Sequence, residues 1–129
     1  MAAGSKQACG LTILRVVVGV VFMFHGYQKL FKMGFHGVAG FFAHSGIPLP
    51  MASAVVVTLV EFVGGILLIA GVGTRVAAAL LAADMLVAIL VVHLRHGFFA
   101  PMGFEFPLAL LAACLCLVLS GGGMLSLRK

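Results

Sequence analysis

The chain has 129 residues, of which 64% are hydrophobic and 9% charged, with a mean hydropathy of +1.29 and a formal charge of +5. Roughly a quarter of the residues in a soluble domain are charged, so this chain cannot cover itself with polar surface. At about 20 residues per membrane-spanning helix its length holds about four spans and their turns, with nothing left for a soluble catalytic domain.

The first apolar run covers about residues 9–31 and is interrupted by Arg15. It ends in His-Gly-Tyr-Gln-Lys without the small-x-small pattern of a cleaved leader, so it reads as a first span. Residues 32–50 mix Gly34, Gly37, Gly40, Gly46, Pro48 and Pro50 with Phe35, Phe41, Phe42 and Ile47, which suits a short interfacial helix followed by a turn. The second span, about 51–72, is broken only by Glu61. A central charge costs about 2.5 to 3.5 kcal/mol, and about twelve Val, Leu, Ile and Phe residues supply about −5, so the segment still inserts. Gly71, Gly73 and Thr74 make a turn into the third span, about 75–94, which contains Asp84. The connection from Arg95 to Phe106 is aromatic, with Pro101 and Gly103, and fits the headgroup level; the fourth span, about 106–123, carries no charge. The expectation is an all-α membrane protein of one domain, residues 1–129: a four-transmembrane-helix bundle with a short interfacial helix between helices 1 and 2.

Lys and Arg stand singly or in pairs at the ends of the apolar runs, the pattern of lipid-bilayer anchoring and not of a nucleic-acid surface. Four spans put both termini on one side. That side carries Lys6, Arg75, Arg128 and Lys129, with Arg15 just inside it, against Lys29, Lys32 and Arg95 on the other, so the positive-inside rule favours cytoplasmic termini. Cys9, Cys114 and Cys116 are odd in number, have no C-x-x-C spacing and no neighbouring histidines, and so indicate neither a disulfide framework nor a metal site. Cys114 and Cys116 point about 200° apart on a helix and read as small packing residues.

On the first helix Arg15, Gly19, Phe22, Gly26 and Lys29 follow at spacings of 4, 3, 4 and 3, and on the second Ala54, Thr58, Glu61 and Gly65 at 4, 3 and 4. Each set keeps to one stripe, and small and polar stripes are where membrane helices approach closely, so the two are expected to face each other. Glu61 and Asp84 fall near the middle of their spans, Arg15 toward the cytoplasmic side, and His25, Lys29, His93 and Glu105 toward the opposite side. Ionisable groups inside a membrane mark a functional site by default; the alternative is a structural lock in which Arg15 pairs with Glu61 or Asp84. Asp84 and His93, nine residues apart, point to opposite faces of a regular helix and are expected to serve different partners. Lys29 and Lys32 also suit snorkelling anchors. No metalloprotease, nucleophile-elbow, phosphate-loop or bis-histidine haem pattern is present, so whether the chain is an enzyme stays open.

Taken in order, Leu14-Arg15, Phe24-His25-Gly26 with Lys29, Gly46-Ile47-Pro48 with Pro50, Glu61 with Gly64 and Gly65, Thr74-Arg75, and His93 with Gly97-Phe98-Phe99 and Glu105 make the chain resemble the DoxX family of small four-helix bacterial membrane proteins. The resemblance implies a four-helix bundle in the bacterial inner (plasma) membrane and a link to quinone or thiol redox chemistry. Asp84 departs from the pattern, which has an apolar residue there. Three functions follow as expectations. The first is a membrane subunit of a redox assembly, with Arg15, His25, Lys29, Glu61 and His93 lining a pocket for a quinone-like molecule, redox-enzyme partners and a possible homo-oligomer. The second is a non-catalytic scaffold that recruits soluble oxidoreductases, and the third a small transporter using the midplane carboxylates as proton sites.

Overall fold

The computed structural model describes residues 2–124; Arg128, Lys129 and Ser126, and with them the end of the single domain expected over 1–129, lie outside the described residues. Helix α1 (Ala2–Tyr27) runs into a wide π turn (Gln28–Met33), after which α2 (Gly34–Ser45) leads back to α3 (Pro50–Ala70). Helix α4 (Thr74–Val87) likewise passes into a π turn (Ala88–His93) and a short 3-10 turn (Leu94–His96), and α5 (Glu105–Ser120) closes the bundle. The short helix expected between the first two spans is α2, held by Val38, Ala39 and Phe42 packing on Ala54 of α3.

Helix α1 packs on α3, α3 on α4, α4 on α5 and α5 back on α1, so the long helices form a closed four-membered ring. The closest approach is between α1 and α3. A Cβ at Gly19 would lie 2.8 Å from the Gly65 carbonyl oxygen, and one at Gly26 would overlap the backbone of Phe62, so these glycines let two backbones touch. Gly71 ends α3 with φ 74°, its N–H and that of Val72 both donating to the Leu67 carbonyl at 2.8 and 3.0 Å. That left-handed turn reverses the chain into α4.

The outward faces of the helices are apolar like the core, and polar groups are buried within it. The core holds Phe22, Leu68, Leu81, Cys114 and Leu117 together with, among the described residues, four buried polar side chains, Arg15, Thr58, Glu61 and Thr74. Ile13, Val17, Val56, Val63, Val76, Leu90 and Leu119 face outward. This is a surface for lipid, and the chain is an all-α membrane bundle. The stretches Gly4–Ser45, Pro50–Ala70 and Thr74–His96 contain helix long and apolar enough to cross a membrane. The fourth helix is apolar but stops at Ser120, short of the end expected near 123, because Gly121 leaves helical geometry with φ 79°.

After α5 the chain returns to α1 and forms a terminal end: Thr12 Oγ1 accepts from the Met124 N–H at 2.7 Å, and its one proton has the carbonyls of Ala8 at 2.8 Å and Met124 at 3.1 Å as acceptors. This terminal end is opposite a loop end, where Arg95 Nη2 donates to the Ser45 carbonyl at 3.0 Å and ties the 3-10 turn beyond α4 to the end of α2.

Candidate functional site

The close contact of α1 with α3 decides where Lys29 goes. Gly26, one turn earlier, lies against Phe62, and this brings the Lys29 ammonium to Glu61, with Nζ donating to Oε1 at 2.5 Å. Glu61 is 2% exposed and stands on the buried stripe of α3 with Ala54, Thr58 and Gly65. Asp84 arrives from α4; its carboxyl lies beside Glu61 and within the field of Lys29. Its Oδ2 is buried with no hydrogen-bond partner among the described residues. One cation and two carboxyl groups thus meet inside the bundle.

Toward the loop end the cluster opens into a cavity of about 260 Å³. His25 and His93 stand on its walls with Phe22, Phe42 and Phe106. The His25 ring is exposed, with its centroid 6.1 Å from that of Phe106. His93 Nδ1 lies 2.8 Å from the carbonyl oxygen of Met102. A carbonyl only accepts, so Nδ1 carries the proton and donates it, and in the neutral ring Nε2 is a bare acceptor. The Met102 carbonyl belongs to a self-bonded loop: Phe104 N–H donates to Gly97 and Glu105 N–H to Phe98, both at 2.9 Å, Glu105 Oε2 accepts from the Ala100 N–H, and the Phe98 ring packs edge-on against Phe99 and Phe104.

Of the residues singled out in the sequence, the structure brings His25, Lys29, Glu61 and His93 to one cavity and puts Arg15 elsewhere. Arg15 is buried at the terminal end, where Nη1 donates to the carbonyls of Gly122 and Met124, each at 2.9 Å. The lock expected between Arg15 and Glu61 or Asp84 is replaced by one between Lys29 and Glu61. The expectation that Asp84 and His93 serve different partners is also corrected, since both line the cavity. The cause is the π turn over Ala88–His93. Its wider i→i+5 turns advance fewer degrees per residue than an α-helix, which carries His93 back toward the side of Asp84. Asp84 was visible in the sequence as an intramembrane acid; only regular helical spacing kept it out of the site.

The DoxX family model matches residues 10–94, a stretch that holds every ionisable residue of the cavity. "Putative oxidoreductase CatD" of Bacillus subtilis is 35% identical over 118 residues, which cover 92% of this chain and 84% of that protein. "Uncharacterized membrane protein Rv3486" of Mycobacterium tuberculosis is 36% identical over 127 residues, 90% of this chain and 77% of the relative. "Inner membrane protein YphA" of Escherichia coli is 34% identical over 77 residues, 60% of this chain and 54% of the relative. No solved structure matches.

Proposed function

The chain belongs to the DoxX family, and on that premise we propose that it is the membrane subunit of a redox assembly whose cavity receives the ring of a quinone-class molecule. The observation that carries this reading is the convergence of His25, Lys29, Glu61, Asp84 and His93 from three helices on one cavity inside an apolar bundle. Intramembrane ionisable groups are too costly to gather without use.

The residues fit such a ring. A volume of about 260 Å³ suits a single substituted ring and not a long tail. Phe22, Phe42 and Phe106 supply flat apolar walls, and the Lys29 ammonium, with three donors and one of them on Glu61, has hydrogen bonds to give to a ring oxygen. His25, Val87 and Phe106 line the cavity and are exposed on the outer surface, which leaves a lateral way for a tail into lipid. The name of the Bacillus relative, a putative oxidoreductase, supports a redox role. The charge distribution and the Escherichia coli relative's name support a bacterial inner membrane with cytoplasmic termini, and soluble redox enzymes are the partners this arrangement would serve.

Titration of a ubiquinone or menaquinone analogue into the purified protein in mild detergent tests the reading. Saturable binding is expected, weakened roughly five- to a hundredfold in Lys29→Met by loss of a buried hydrogen bond of about 1 to 3 kcal/mol. Absence of saturable binding to the wild type would transfer preference to the scaffold.

A further inference from the structure

We infer that the cavity selects the reduced, hydroxyl-bearing form of its ring, a hydroquinone, over the quinone, and that His93 is the residue that makes the choice. The inference rests on the ring-binding reading above and deepens it. Its basis is the bond between His93 Nδ1 and the Met102 carbonyl at 2.8 Å. Because Nδ1 spends its proton on that carbonyl, the polar atom left to the cavity on the His93 side is Nε2, an acceptor in the neutral ring. The loop holds this arrangement in place: Gly103 N–H donates to the Phe99 carbonyl at 2.8 Å and Phe104 N–H to that of Gly97 at 2.9 Å, so both bonds close over the segment that carries Met102.

The other polar end of the cavity is the Lys29 ammonium, a donor without acceptor capacity, with the Glu61 and Asp84 carboxyls beside it, which can only add acceptors for a hydroxyl when ionised. A hydroquinone satisfies both ends: one hydroxyl donates to His93 Nε2 and the oxygen of the other accepts from Lys29. A quinone has only acceptors. Its carbonyl can receive from Lys29, but its second carbonyl would face the His93 lone pair, acceptor against acceptor, in a site walled by Phe22, Phe42 and Phe106. Burying a polar atom without a partner is what penalises the oxidised form. No electron transfer is needed for this discrimination, which is one of binding alone.

The test compares three probes by anaerobic titration of the purified protein in detergent: a short-tailed benzoquinone, its hydroquinone and the dimethyl ether of that hydroquinone. The hydroquinone is expected to bind roughly tenfold tighter than the quinone, and the dimethyl ether, which keeps the ring but has no O–H, no tighter than the quinone. In His93→Asn the side-chain amide can keep the bond to Met102 while offering no acceptor in the place of Nε2, so the preference should vanish. Equal affinities, a tighter quinone, an equally tight dimethyl ether, or a preference that survives in His93→Asn would each overturn the inference and leave the cavity as a ring site. Failure of all three probes to bind the wild type would overturn the ring-binding reading as well. The wild-type comparison stands even if the variant does not fold.

Discussion

Lys29 and Glu61 stand 32 residues apart in the chain and meet at 2.5 Å inside the bundle, their side chains 24% and 3% exposed. The pair joins the two helices of closest approach, and Asp84 stands beside it. That third group makes the pair unequal. Removing Glu61 leaves Lys29 with Asp84 as a counter-ion, whereas removing Lys29 leaves two carboxyl groups facing each other. Lys29→Met is therefore expected to lower the Tm in detergent more than Glu61→Gln, with a loss of about 3 to 5 kcal/mol for a broken buried pair. Adding Asp84→Asn to Lys29→Met should recover part of that loss, and a double variant less stable than Lys29→Met alone would contradict the arrangement.

The glycines of α1 and α3 offer a cleaner test of packing. A Cβ at Gly65 would lie 2.7 Å from the Gly19 carbonyl oxygen and 2.8 Å from the Met23 Cα, both on backbone that cannot swing aside. Gly65→Ala and Gly26→Ala are each expected to cost about 1 to 3 kcal/mol, the range of an overpacked core. Gly10→Ala, on the same helix as Gly26 but with open space at its Cβ, should leave the Tm unchanged or raised. Equal effects at Gly10 and Gly26 would mean that the two backbones do not touch.

These contacts were legible in the sequence because they obey one period. Arg15, Gly19, Phe22, Gly26 and Lys29 recur at helical spacing, as do Ala54, Thr58, Glu61 and Gly65, and the two stripes meet at Gly19 with Gly65 and at Lys29 with Glu61. What broke the period could not be read. Residues Ala88–His93 form a π turn, yet Ala-Ile-Leu-Val-Val-His contains no glycine or proline to announce it, so Asp84 and His93 looked opposed. Arg15 was misplaced for another reason: it donates to Gly122 and Met124 through their backbone carbonyls, which every residue has and no pattern marks.

The burial of Arg15 and the pairing of Lys29 with Glu61 also alter the charge count behind the orientation. Among the described residues the exposed Lys and Arg are Lys6 and Arg75 at the terminal end and Lys32 and Arg95 at the loop end, so the bias rests on Arg128 and Lys129. In a version with Cys9, Cys114 and Cys116 replaced, single cysteines at Ser5 and Ser45 should be labelled by an impermeant maleimide from opposite faces, Ser5 from the cytoplasm and Ser45 from outside. Labelling of both from one face would refute the bundle topology; an exchange of faces would refute only the orientation.

Arg15 itself gives the prediction that separates structure from site. The side chain is 1% exposed, and Nη1 holds the carbonyls of Gly122 and Met124 at 2.9 Å each, just where α5 has ended and the chain returns to Thr12. Hydrogen bonds from a charged donor contribute about 1.5 to 3 kcal/mol each, so Arg15→Met should lower the Tm clearly. Arg15→Lys keeps the charge but loses the planar fork, and should fall between the two. The loosened segment can be followed directly: a cysteine at Met124 in the otherwise cysteine-free chain should react faster in Arg15→Met than with Arg15 present. Ring binding is a different matter, because the cavity lies toward the other end and Arg15 is not among its walls. Arg15→Met, assayed below its Tm, is expected to bind the quinone analogue within about twofold of wild type, whereas Lys29→Met loses at least fivefold. A loss in Arg15→Met as large as that in Lys29→Met, with the Tm unchanged, would return Arg15 to the site.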